Sequence, residues 1–341
     1  MKLVESEKAI PSRDGRRAAI TLAVLAPFIA EVLMGSTRLS FIFVLIPEIM
    51  VWGVGAVMAR EAARRWRAGW ISLMVLGIAL GVAEECVIQQ TSLAPLVGLD
   101  PAHAYGRFYG VNWVWMLGLL VFESVWVVLV PVRFTEALFP EERAKPWLTN
   151  RGLLWSSLIF IAGSFLAWFL WTRIARPQKF HVPPYHPAPA YILTGVVAIA
   201  LLIATAYALR SSGHPNLETT QSAGPTWAAG LVALMLAAPW FTVIGWAYGS
   251  MPKLPVSIAI TSGLAWSLVS FLLFKWWTAR TSWGDLHGLL AASGALMASM
   301  VMGFLQGGWS RGDLTAKIIF DLASVVGMIY LARKTALQTS E

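Results

Sequence analysis

The chain has 341 residues, of which 57% are apolar and only 13% charged, with a net charge of +8 and a mean hydropathy of +0.65. A soluble domain carries nearer a quarter of its residues as charge, so this composition excludes an ordinary water-soluble fold. A single cysteine, Cys86, excludes an intrachain disulfide and a cysteine-rich metal site.

Apolar runs close to the length a spanning helix needs follow one another in chain order. They cover Ala18–Gly35, Leu39–Met58, Trp70–Ile88, Val111–Pro131, Gly152–Thr172, Pro189–Leu209, Trp227–Gly249, Leu254–Phe274, Asp285–Leu305 and Leu314–Ala332. In lipid only a helix satisfies its backbone one segment at a time. The expected fold is all-α and polytopic, with about ten transmembrane helices. The first two runs are read as two spans and not as one re-entrant hairpin. No cleavable signal peptide is expected, because no small-residue cleavage site follows the polar tail.

The boundaries divide the chain into a cytoplasmic tail (1–17), a four-helix half (18–131), a cytoplasmic connection (132–151), a six-helix half (152–332) and a second cytoplasmic tail (333–341). Arginines and lysines follow this division. Lys2, Lys8, Arg13, Arg16, Arg17, Arg60, Arg64, Arg65, Arg67, Arg133, Arg143, Lys145, Arg151, Arg210, Lys275, Arg280, Arg333 and Lys334 fall on one side and Arg38, Arg107, Arg173, Arg176, Lys179, Lys253, Arg311 and Lys317 on the other, an asymmetry strong over the first four helices and weak after them. That asymmetry predicts both termini inside. The basic balance therefore reads as topology and contact with membrane lipid, and not as a nucleic-acid surface. The segment Arg60 to Arg67 is expected to run as a basic cuff along the headgroups. Many of the eighteen tryptophans, among them Trp70, Trp115, Trp155, Trp277 and Trp309, are expected to form interfacial belts.

Glu31, Glu48, Glu84, Glu85 and Glu123 lie inside the first four apolar runs. A carboxylate at the bilayer centre costs about 2.5–3.5 kcal/mol on insertion scales, so such residues face each other, face water or are protonated. Glu84 stands fourteen residues past Trp70, roughly 21 Å along the helix at 1.5 Å per residue. Glu31, Glu48, Glu85 and Glu123 are thus candidate proton- or cation-binding groups in a cavity open to the outer face. Gln89, Asn112, Arg38 and Arg107 are candidates for its polar rim, the two arginines as counter-ions. No cofactor and no metal site are expected; His181 and His186 lie in a proline-rich loop, and Cys86 reads as a packing residue. Lys317 and Asp321, four apart, are expected to neutralise each other.

The run Glu84-Glu85-Cys86-Val87-Ile88-Gln89 resembles the Glu-Glu-x-x-x-Arg motif of the CAAX-protease and bacteriocin-processing membrane endopeptidases. That resemblance implies Glu84 or Glu85 as a catalytic glutamate activating water beside a metal or histidines. The chain departs from it at Gln89, where the arginine would stand. It also departs in the later helices, where Phe108 and Phe122 are followed four residues on by Asn112 and Trp126, and His287 by Ala291. A wider stretch, running from Glu31 through Arg60-Glu61, Val111-Asn112-Trp113-Val114-Trp115 and Leu138-Phe139-Pro140 to Pro146-Trp147, resembles prokaryotic polytopic membrane proteins of no assigned function. It implies a shared fold and a cytoplasmic (inner) membrane location.

Three functions fit this reading. One is a carrier for protons or a small cationic solute; the second is a glutamate-type intramembrane hydrolase; the third is a membrane scaffold or assembly protein. Glu85 within reach of a histidine would favour the hydrolase.

Overall fold

The computed structural model describes residues 12–97, 105–210, 221–251 and 253–338. Among them, nine helices are long and apolar enough to cross a membrane. A tenth, α1 (Arg13–Pro27), continues as a π-helical turn over Phe28–Val32. The others are α2 (Leu39–Arg65), α3 (Trp70–Ile88), α4 (Trp113–Leu138), α5 (Asn150–Lys179), α6 (Pro189–Ala208), α7 (Thr226–Ala247), α8 (Val256–Thr278), α9 (Asp285–Gln306) and α10 (Arg311–Gln338). The protein is an all-α polytopic membrane protein. Among the described residues the one sheet is a hairpin, β1 (Arg107–Phe108) against β2 (Val111–Asn112), antiparallel, with Arg107 opposite Asn112.

Several helices outrun their apolar stretches. The α2 helix carries on through Arg60, Arg64 and Arg65, where hydropathy alone ends the span at Met58. Its 27 residues measure about 40 Å, longer than the roughly 30 Å of hydrocarbon. Backbone hydrogen bonding continues into the polar region as long as side chains there find partners, and they do. Arg60 is fully buried. It donates from Nε to Glu136 Oε1 (3.1 Å), from Nη1 to the Lys145 carbonyl (2.6 Å), and from Nη2 to the carbonyls of Glu142 (3.1 Å) and Arg143 (2.6 Å). Arg64 grips both oxygens of Glu136 at 2.7 and 2.9 Å. Glu61 accepts from Arg65 Nε and from the Trp147 backbone N–H, each at 2.8 Å. The expectation of a basic cuff snorkelling among headgroups is therefore corrected. These side chains turn inward and fasten residues 139–149, because the open carbonyls of that connection and Glu136 give guanidinium groups better partners than water or lipid.

The α3 helix is central: 78% of its spanning window is buried, against 11% for α5, α6 and α8, which present aliphatic and aromatic faces outward. One apolar core runs without a break from Ala18 and Leu22 of α1 through Val127 of α4 to Leu289 and Leu296 of α9 and Leu331 of α10. Glycines set the closest crossings. A methyl group added at Gly53 would overlap the Ala23 carbonyl oxygen, so α1 and α2 touch backbone to backbone there.

Of the tryptophans expected at the interfaces, Trp155 is exposed while Trp277 turns inward, as do four that no belt was expected to hold. Trp52, Trp126, Trp240, Trp266 and Trp277 donate their indole N–H to acceptors inside the protein: Glu123 Oε1 and the carbonyls of Ala295, Gly118, Leu236 and Ala223. A buried indole gains from such a partner, and the bundle's carbonyls and carboxylates supply it to these five, whereas the buried N–H groups of Trp171, Trp246 and Trp309 have none.

Candidate functional site

The helices that carry the five glutamates all widen at the glutamates. Glu31 lies within the π-helical turn Phe28–Val32, and Glu48 immediately precedes the π-helical turn Ile49–Gly53. Glu84 and Glu85 lie in the π-helical end of α3, Ala83–Ile88, and Glu123 opens the π-helical segment Glu123–Leu129. Proline explains three of the four. Pro27, Pro47 and Pro131 stand at or beside these segments. Each lacks the N–H for an i→i−4 bond and pushes the carbonyl one turn back out of line. The fourth, in α3, follows from how the helix ends. The Glu84 carbonyl accepts from the backbone N–H of both Gln89 (2.9 Å) and Gln90 (3.3 Å), the latter with φ +61, and the Glu85 carbonyl accepts from Ser92 at 3.2 Å. Single-turn π segments of this kind occur often at functional sites.

The five carboxyl groups form one electrostatic cluster. Glu31 lies within interaction range of Glu48, Glu84 and Glu123; Glu84 adjoins Glu85 and Glu123, and Glu85 in turn interacts with Glu123. Glu48, Glu84, Glu85 and Glu123 are 1–3% exposed, whereas Glu31 is half-buried. The site is thus closed around four of its carboxyls, where the sequence suggested an open cavity. Tight packing closes it: a Cβ at Gly81 of α3 would lie 3.0 Å from the Glu123 Cβ, and one at Gly77 would fall 2.8 Å from the Ser124 Cα.

Three of the carboxyl groups, those of Glu48, Glu85 and Glu123, accept side-chain hydrogen bonds. Thr37 Oγ1 donates to Glu48 Oε1 at 2.6 Å, and the Thr37 backbone N–H donates to the Glu31 carbonyl at 3.1 Å. Trp52 Nε1 donates to Glu123 Oε1 at 3.0 Å. Three donors converge on Glu85 Oε2: Thr91 Oγ1 and Ser92 Oγ at 2.6 Å each, and Trp115 Nε1 at 3.0 Å. The second oxygens of Glu48, Glu84 and Glu123 are buried with no hydrogen-bond partner. Among the described residues no arginine or lysine forms a salt bridge with any of the five. Tyr248, just past the end of α7, lies edge-on to Trp115 with ring centroids 5.5 Å apart.

The expected rim residues sit elsewhere. Arg38 donates from Nη2 to the Gly307 carbonyl at 2.7 Å and from Nη1 to the Gly308 carbonyl, and lies over Trp309. Its role as a counter-ion is corrected: it joins the α1–α2 turn to the α9–α10 turn. Arg107 donates to Asn112 Oδ1 and to the Leu93 carbonyl, each at 2.8 Å, so it too serves backbone and amide acceptors instead of a glutamate. Asn112 donates to the carbonyls of Thr91 (3.0 Å) and Ala94 (2.6 Å). It shapes the loop that carries Thr91 and Ser92. Gln89 is half-buried beside the Glu84 carbonyl through its own backbone. Thr37, Trp52, Thr91, Ser92 and Trp115 are the partners that sequence reasoning missed. The signals available were Thr91 and Ser92 directly after the acidic motif and an indole one turn into α2 after Glu48.

His287 accepts from the Gly284 N–H through Nδ1, faces the Gly224 carbonyl through Nε2, and stacks on Trp283 at the opposite end of the bundle from Thr91. Among the described residues no histidine is bonded to Glu85, and no group of three His, Cys, Asp or Glu side chains is arranged to hold a metal ion. Lys317 donates to Asp321 Oδ2 at 2.8 Å and to the Leu33 carbonyl at 2.6 Å, so that pair forms as expected.

A family model described as "Uncharacterized membrane protein family" matches residues 20–333. No curated protein and no solved structure matches the chain. The resemblance to the glutamate-type endopeptidases finds no support in these comparisons.

Proposed function

The chain belongs to that uncharacterized membrane protein family, and we infer that it carries protons, or a small cation in exchange for protons, through the glutamate cluster. The observation that carries this reading is the grouping of five carboxyl groups without a cation, three of them with a buried oxygen that has no partner. An ionised carboxylate in that state is costly in a membrane interior; a proton or a bound cation removes the cost. Structural ion pairs, by contrast, neutralise each other, as Lys317 and Asp321 do.

The arrangement supports a path. Glu31, half-buried, is the group nearest water, and it interacts with Glu48 on one side and with Glu84 and Glu123 on the other. Glu84 and Glu85 are neighbours close enough to interact. Glu85, with three donors on one oxygen, is the member best supplied with hydrogen bonds in this conformation. Release would need the packing of Gly77 and Gly81 against α4 to loosen, since that contact closes the cluster.

Reconstitution in liposomes with a trapped pH-sensitive dye tests the reading. Wild-type protein should acidify or alkalinise the lumen under an imposed potassium-diffusion potential. Glu85→Gln and Glu123→Gln should lose that flux while keeping the wild-type melting temperature within a few degrees. No flux from wild type under potentials of either sign, or equal flux from the variants, would sink the idea.

A further inference from the structure

At the end of the bundle that carries Thr91, a second polar feature lies across the loop from Glu85. Arg176, in the π-helical last turns of α5 (Leu170–Lys179), is 2% exposed. Its Nη1 donates to the Pro95 carbonyl at 3.0 Å. Its Nε and Nη2 are buried and have no partner. These two N–H groups lie on one edge of the guanidinium plane and form its side-on fork, spaced for two oxygens of one carboxylate or phosphate. A bare fork of this kind is not a packing solution. A buried donor left unpaired is costly, more so for a charged group, and no carboxylate among the described residues pairs with it.

The surroundings add positive charge. Arg107 is near enough to Arg176 to repel it, and Tyr185, on the extended 181–188 segment, also borders it. Arg107 already donates to Asn112 and to the Leu93 carbonyl. Two guanidinium groups therefore clamp one loop, at Leu93 and at Pro95, with no anion between or beside them among the described residues. Like charges brought together at a buried position are stabilised by a shared counter-ion.

We propose that the Arg176 fork, with Arg107 beside it, is a binding site for an oxyanion presenting two acceptor oxygens, such as a phosphate or carboxylate group. Arg176 lies in the last turns of α5, beyond the 20 or so residues that fill the hydrocarbon, so a soluble anion and a lipid headgroup are the two sources of such an oxyanion. The site uses none of the glutamates, so it stands or falls apart from the proton reading. It does share a structural neighbour with them. The loop that Arg107 and Arg176 hold by its carbonyls is the one that holds Glu85 by Thr91 and Ser92.

The test uses the full chain in zwitterionic nanodiscs at fixed ionic strength. Inorganic phosphate and acetate are titrated separately against chloride, with calorimetry and melting temperature as readouts. A parallel set of nanodiscs contains phosphatidylglycerol. Saturable binding of phosphate or acetate would identify a soluble oxyanion. Stabilisation by phosphatidylglycerol alone would identify a headgroup phosphate. In either case Arg176→Lys should weaken the effect about tenfold or more, because an ammonium has no planar fork, and Arg107→Gln should weaken it less. Arg173→Gln, whose side chain faces His186 and Trp168 instead, should leave it unchanged. The proposal is overturned if wild type shows no saturable response to phosphate, acetate or phosphatidylglycerol. It is equally overturned if Arg176→Lys responds as wild type does. The wild-type titrations decide the matter even where a variant does not accumulate.

Discussion

The guanidinium of Arg60 lies flat over the indole of Trp147, its central carbon 3.5 Å from the ring centroid, while the Trp147 N–H donates to Glu61, the residue next to Arg60. Two consecutive residues of α2 thus hold one tryptophan from the connection after α4, one by its ring and one by its backbone. The same tryptophan donates from Nε1 to the Glu142 carbonyl at 2.9 Å, so the connection is folded on itself as well as onto α2.

Arg60→Ala should be severely destabilising. It strips partners from Glu136 and from three backbone carbonyls at once. Breaking a buried charged pair costs about 3–5 kcal/mol. Arg60→Lys should rescue little, because lysine offers neither the stacking plane nor the forked donors. Melting curves of the purified variants check this; a lysine variant within a degree or two of wild type would contradict it.

Lys317→Met should lower the melting temperature and the yield in the membrane, since it leaves Asp321 and the Leu33 carbonyl without their buried donor. The double variant Lys317→Met with Asp321→Leu should recover most of the loss. Recovery should be incomplete, because the Leu33 carbonyl stays unpaired. A double variant worse than the single would show that Asp321 has another role.

Asn112→Ala should loosen the loop that presents Thr91 and Ser92. It removes two donors and one acceptor from buried positions, a loss of about 1–3 kcal/mol for unsatisfied groups. Asn112→Asp keeps the acceptor for Arg107 but not the donors to Thr91 and Ala94, so it should fall between. Hydrogen exchange of the 91–94 amides measures the effect directly. Unchanged exchange in Asn112→Ala would remove the positioning role.

Both described termini lie at the end of the bundle that holds Arg60 and Trp147, and the cation bias predicts that this end faces the cytoplasm. Reporter fusions after Lys145 and after Glu341 should both read cytoplasmic. A periplasmic signal at either would overturn this orientation.

The polytopic helical fold was legible because apolar length is decisive in lipid. The grouping of Glu31, Glu48, Glu84, Glu85 and Glu123 was legible as a need, since isolated carboxylates do not survive there. Their individual partners were not. Trp52 reads as one more apolar residue of α2, and only the crossing of α2 with α4 turns its N–H toward Glu123. Arg38 and Arg107 were placed on the correct end of the bundle, but sequence gives no sign that backbone carbonyls, at Gly307 and Leu93, would claim them first. Arg60 misled for a similar reason: a basic helix end resembles a snorkelling cuff until the connection that covers it is seen.

The widened turns at the glutamates carry a consequence for how this chain tolerates change in length. An α-helix advances about 100° per residue, so a single deletion in an ordinary helix would swing everything beyond it off its face. A π-helical turn already holds a surplus residue. Removing one residue from Ile49–Gly53 or Glu123–Leu129 can be absorbed by tightening that turn, which keeps the far end of the helix seated while turning the nearby carboxyl group away from its partners. Shortening at these places therefore separates folding from the glutamate cluster in a way that no exchange of side chains does.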